Sequence, residues 1–169
     1  EGFCVFNDLA VTAKTLLAEK KVEHVAVVDL DVHQGDGTAS ICAGDERIFT
    51  FSMHGERNFP FRKVASTLDV GLPDGVSDSG YLEALEQHLP EVLEASGAQL
   101  VLYQAGVDAL ASDTLGRLAL THAGLKARDR TVLEQCRARG IPVAVTLGGG
   151  YAQPLEDTVR AHLGTYEVL

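Results

Sequence analysis

The chain has 169 residues, 46% hydrophobic and 22% charged, which suits one domain with a real core and not evidently two. With 24 acidic against 14 basic residues its formal net charge is -10, a poor match to nucleic acid or an anionic membrane. Charges break every apolar stretch well before the ~20 residues that a spanning helix needs.

The chain opens on Glu1-Gly2-Phe3-Cys4-Val5-Phe6, with no initiator Met and no signal-peptide pattern, as if inside a domain. A cytoplasmic location is the expectation. Cys4, Cys42 and Cys136 have no paired spacing, so they read as small buried hydrophobes in a reducing compartment.

In chain order, Asn7-Asp8 can cap a helix with Leu9, Ala13, Leu16 and Leu17 on one side, ending at Lys20-Lys21. Val25-Ala26-Val27-Val28 has the look of a strand buried on both faces. Ile48-Phe49-Thr50-Phe51, Leu100-Val101-Leu102-Tyr103 and Val143-Ala144-Val145-Thr146 are similar runs, and Val70-Gly71-Leu72-Pro73 suggests a short extended piece. Tyr81, Leu82, Leu85 and Leu89 share a helical side that Pro90 should kink or restart. Thr121 can cap a helix carrying Leu125, Val132, Leu133 and Cys136, and Gly140 can terminate it. Pro154 suits the start of a last helix through Val159 and Leu163. Short buried strands alternating with helices predict an α/β domain, a parallel sheet with helices on both faces. Residues 54–80 read as the irregular, function-bearing region.

Open α/β sheets bind ligands beyond the carboxyl ends of their strands. Those ends here are Asp29-Leu30-Asp31-Val32-His33-Gln34-Gly35-Asp36-Gly37, Ser52-Met53-His54, Gln104-Ala105-Gly106-Val107-Asp108 and Leu147-Gly148-Gly149-Gly150-Tyr151. If the first strand continues, Asp29, Asp31 and His33 fall on one side. Two carboxylates and an imidazole at one tip call for a cation. Asp31 and His33, with Asp108 from a neighbouring strand, make three ligands and leave a fourth position open, a catalytic zinc pattern. Asp-rich ligation also admits Fe2+, Mn or Co. The alternatives are a solvated Asp/His loop and a phosphoryl-acceptor or Mg2+ site.

The segments Gly2 to Asp8, Asp29 to Gly37, Ala105 to Asp108 and Gly148 to Tyr151 occur in the order and approximate spacing of the histone deacetylase family, which the whole chain resembles. Gln34, the Asp113-Thr114-Leu115-Gly116-Arg117-Leu118 loop and Leu147-Gly148-Gly149-Gly150-Tyr151 resemble its class IV-like bacterial members. The resemblance implies an arginase/deacetylase-like fold and a zinc-dependent hydrolase acting on acylated lysine or polyamines. Asp31, His33 and Asp108 would hold Zn2+, with Fe2+ as the other candidate. Tyr151 would donate its hydroxyl to the developing oxyanion, and Gly149 with its neighbouring glycines would allow close backbone approach. Phe3 and Phe59 would line a channel for the acyl-lysine stem; without the resemblance both read as core residues. Asp29 and Asp36 would orient two active-site histidines. Asp29 with Ser52 also resembles a K+ or Na+ site, and a second such site is conceivable around Cys42, Asp45 and Ile48.

The family's general base and acid are an adjacent His-His pair that precedes the Gly-Phe-Cys segment, and none of the six histidines here adjoins another. His54 is a site candidate; His24, His88, His122 and His162 read as surface or structural. The expectation is therefore a single partial domain, 1–169, lacking its N-terminal strands and self-associating through an exposed sheet edge. The alternative is a non-catalytic acyl-lysine- or metal-binding module. A nucleotide-binding or phospho-acceptor domain ranks below both.

Overall fold

The structure, a computed structural model, describes residues 3–169; Gly2, the first residue of the Gly-Phe-Cys segment, lies outside the described residues. Five strands, β1 (Val25–Asp29), β2 (Ile48–Gly55), β3 (Leu68–Leu72), β4 (Leu100–Gln104) and β5 (Val143–Thr146), form one sheet in the order β3-β2-β1-β4-β5. Every pairing is parallel. The described residues form five helices, α1 (Asp8–Ala18), α2 (Asp36–Cys42), α3 (Asp78–Ala95), α4 (His122–Ala138) and α5 (Leu155–Tyr166).

Helices cover both faces, as the continuous apolar runs demand. Leu9, Ala13 and Leu17 of α1 and Cys42 of α2 pack with Val25, Val27 and Leu102 on one side. On the other, Leu85 and Leu89 of α3, Val132 of α4 and Ala161 of α5 meet Ala26, Val28, Val101 and Tyr103. Helix starts follow their caps: Asn7 Oδ1 accepts from Ala10 N at 2.8 Å, and Thr121 Oγ1 from Gly124 N at 3.0 Å.

The local structure differs from or adds to the sequence pattern at three places. Helix α3 does not restart at Pro90 but runs on as one element, because Leu85, Leu89, Val92 and Leu93 bury it on both sides of the proline. Strand β2 extends past Phe51, since Met53, His54 and Gly55 pair with Val70, Gly71 and Leu72 of β3. Helix α2 forms in a stretch to which the sequence pattern assigns no element.

Strand order reverses direction at β1: the chain steps outward to β2 and β3, then returns to lay β4 on β1's other side. Such a switch point opens a crevice at the strand tips. Register sets Asp29 beside Ser52 on one side and Gln104 on the other, so three of the polar tips converge. The outer strand β5 pairs with β4 alone among the described residues. No described helix is long and apolar enough to cross a membrane.

Candidate metal centre

Strand β1 does not continue to His33. Its carboxylates take over the peptide N–H groups that a ladder would use: Asp29 Oδ1 accepts from Asp31 N at 3.1 Å, Asp108 Oδ1 from Val32 N at 2.8 Å, and Asp31 Oδ1 from His33 N at 3.0 Å. Alternation survives in the loop even so. Leu30 and Val32 are fully buried in the core, while Asp31 and His33 line a cavity of about 870 Å³.

The ligand atoms of Asp31, His33 and Asp108 all lie within 4.8 Å of one another. His33 Nδ1 sits 3.0 Å from Asp31 Oδ1 and 3.0 Å from Asp108 Oδ2. Asp31 Oδ2 also accepts from Gln104 Nε2 at 2.9 Å and Gly149 N at 3.0 Å. A side chain at Gly149 would collide with Asp108 Oδ2, so glycine there lets the β5 loop close over the carboxylates.

The electrostatics ask for a cation. Burial and the Asp31 charge push the carboxyls of Asp29 and Asp108 upward. Burial works against ionised Asp31 too, but hydrogen bonds from His33, Asp108 and Gln104 outweigh it and hold this carboxyl below its usual range. Burial tends to lower the His33 imidazole, yet Asp108 and Asp31 lift it to about 10. A proton on Nδ1 between two carboxylates does what a divalent ion at the same point would do better. Three converging donors, two of them buried carboxylates, on the floor of an open cavity fit a metal with a position left for a further ligand.

Tyr151 is on the cavity wall, and its ring packs edge-on against Phe3 at 5.7 Å. Burial and the charges of Asp108 and Asp31 raise its phenol pKa, which keeps the hydroxyl a donor. Its backbone is gripped from both ends: Tyr151 N donates to Asp113 Oδ2 at 2.6 Å, and Thr114 Oγ1 donates to Tyr151 O at 2.9 Å. Phe59 lines the cavity beside buried Asn58, whose Nδ2 donates to Leu115 O at 2.8 Å. Thus Phe3, Phe59, Gly149, Tyr151 and the three ligand residues surround one space.

The remaining candidates are placed differently. Asp36 heads α2, lines the cavity and accepts from Gly37 N at 2.8 Å. Asp29 and Ser52 are register neighbours, but Ser52 Oγ lies 3.0 Å from His54 Nδ1 and accepts from Gly35 N at 3.4 Å. His54 is buried in β2 and is not on the cavity wall. Around Cys42 and Ile48, Asp45 is engaged by Arg47 through two hydrogen bonds of 2.8 Å.

Sequence reasoning missed the supports. Gln104 steadies Asp31, Asp113 and Thr114 hold Tyr151, and Gln34 Nε2 locks the next loop by donating to Val64 O and Asp69 Oδ1, each at 2.8 Å. Gln34 and the 113–118 loop stood out as motif residues, yet only the folded chain gives them partners.

Known proteins resemble the chain over nearly its whole length. The profile described as "Histone deacetylase domain" matches residues 1–166. An uncharacterized protein of Picosynechococcus sp. is 50% identical over 161 residues, 95% of this chain and 54% of that protein. A histone deacetylase-like amidohydrolase of Pseudomonas aeruginosa is 31% identical over 164 residues, 90% of this chain and 43% of the relative. Among solved structures, the HDA15 HD domain aligns with a TM-score of 0.82 at 26% identity, covering 99% of this chain and 51% of that one. The chain spans about half the length of the relatives it matches.

Proposed function

The chain belongs to the histone deacetylase domain family, and from that premise we propose that it is the metal-binding part of a zinc-dependent hydrolase that removes acetyl or longer acyl groups from lysine side chains or polyamines. The observation that carries this reading is the convergence of Asp31, His33 and Asp108 within 4.8 Å on the floor of the cavity that Tyr151 overlooks. Zinc held by these three residues would supply a Lewis acid for the acyl carbonyl and an activated water, and Fe2+ suits the same donors.

The chain's own groups have distinct parts. Tyr151, kept protonated by its surroundings, donates to the acyl oxygen as negative charge develops there. Phe3 and Phe59 flank the apolar stem of the substrate. Asp29 and Asp36 would orient active-site histidines, and Asp29 with Ser52 and nearby carbonyls is the proposed K+ or Na+ site. The chain has no adjacent histidine pair to serve as general base, a contribution typically of ~10²–10⁴-fold. The second reading, of this chain alone, is an acyl-lysine- or metal-binding module. Self-association through an exposed sheet edge belongs to the same proposal; a monodisperse monomer in sedimentation analysis would sink that part.

The test is metal content and deacylase activity together, on this chain and on a form extended upstream to the length of its relatives. Near-stoichiometric zinc in both, with activity in the longer form, is the expected result. Folded protein without metal in either form would overturn the reading.

A further inference from the structure

Arg128 of α4 is fully buried and does not line the cavity. Its Nη1 donates to Gly106 O at 2.6 Å and to Leu30 O at 3.2 Å. Leu30 immediately precedes Asp31, and Gly106 lies two residues before Asp108. Both carbonyls are past the ends of β1 and β4, where the ladder no longer sets the spacing of the two segments. The guanidinium bridges them.

The guanidinium is itself held. Nε and Nη2 each lie 2.8 Å from Asp129 Oδ1. Asp129 in turn accepts from Tyr103 Oη at 2.5 Å and from Thr165 Oγ1 at 2.7 Å. So β4, α4 and α5 together fix one buried fork. Burying an ion pair costs desolvation that a hydrophobic pair would avoid, so such a pair is poor evidence for stabilisation. Its geometry points to another role, since the Nη1 end of the fork reaches both peptides leading into the ligand carboxylates, with the buried Tyr81 phenol beside it.

We propose that Arg128 is a positioning residue for the metal centre, setting the separation of Asp31 and Asp108 through the Leu30 and Gly106 carbonyls. This rests on the reading of Asp31, His33 and Asp108 as metal ligands. Residues that orient ligands from behind typically change metal affinity by ~10–100-fold when replaced. Lys at 128 keeps the charge and loses the fork.

The experiment titrates Co2+ into the whole chain and records both the dissociation constant and the visible ligand-field spectrum. The variants are Arg128→Lys, the neutral double variant Arg128→Met/Asp129→Asn, and Val132→Ala as a control for weakened packing in the same helix. The double variant should bind Co2+ about 10–100-fold more weakly with a shifted spectrum. Arg128→Lys should lose less, and Val132→Ala should keep both affinity and spectrum. Unchanged binding in folded Arg128 variants overturns the proposal, as does an equal loss in Val132→Ala. Failure of both Arg128 variants to fold assigns the residue to the fold instead, and also overturns it. Absence of Co2+ binding by the unaltered chain is a different failure, that of the metal reading itself.

Discussion

At the floor of the cavity Asp108 has no exposed surface and takes the Val32 N–H at 2.8 Å; at the rim, Phe3 and Phe61 are 83% and 85% exposed and meet other rings edge-on. The floor is fixed by peptide groups that cannot move without unpicking the strand tips. The rim is held by side chains, at about 0.5–1.5 kcal/mol for an aromatic pair. Chemistry should therefore be intolerant of change at the floor, and substrate choice tolerant at the rim. Tyr151 joins the two, because its ring belongs to the rim while Asp113 and Thr114 clamp its backbone.

The comparison breaks most sharply with Asp108→Ala. That variant should lose bound zinc, read by elemental analysis, while staying folded, since it removes a buried carboxylate that burial already destabilises. Next in size, Tyr151→Phe in an active, longer form should lower kcat by about 10²–10³-fold with zinc content unchanged. Asp113→Ala should follow, with kcat falling by up to ~10²-fold through misplacement of Tyr151; an unaltered kcat would show that the clamp on the backbone does not matter. Phe3→Ala should have a smaller effect, raising KM by a few-fold, as expected for about 0.5–1.5 kcal/mol, with kcat preserved.

Outside that ranking stands a pH signature of the floor in chelator-treated protein. The His33 pKa is raised from 6.5 to about 10. Its contribution to stability is thus fully present below pH 6.5 and lost as pH rises through about 10. Saturating zinc keeps the imidazole unprotonated and should flatten that decline. Melting temperatures followed over this range with and without zinc check it, and parallel curves would count against His33 as a ligand.

Much of this was legible because strand runs such as Val25 to Val28 and their polar tips are local features. The parallel sheet and the convergence of Asp31, His33 and Asp108 followed from reading tip after tip. What escaped depended on distant partners. Helix α2 carries Gly37, Thr38 and Ser40 and forms without a strong helical pattern of its own. Arg128 sits in a helix whose charges suggest an exposed face, yet it is wholly buried, because its partners come from Leu30, Gly106 and Asp129. Strand β1 stops at Asp29 for a related reason: Asp29, Asp31 and Asp108 bind the very N–H groups that a longer strand would offer.

The most direct test of the floor as a metal centre is diffraction from zinc-soaked crystals of the chain on both sides of the zinc absorption edge. A single anomalous peak within bonding distance of Asp31, His33 and Asp108, about 2.0–2.2 Å from each, is the expected result. A peak elsewhere, or none at this cluster with zinc in excess, would contradict the account.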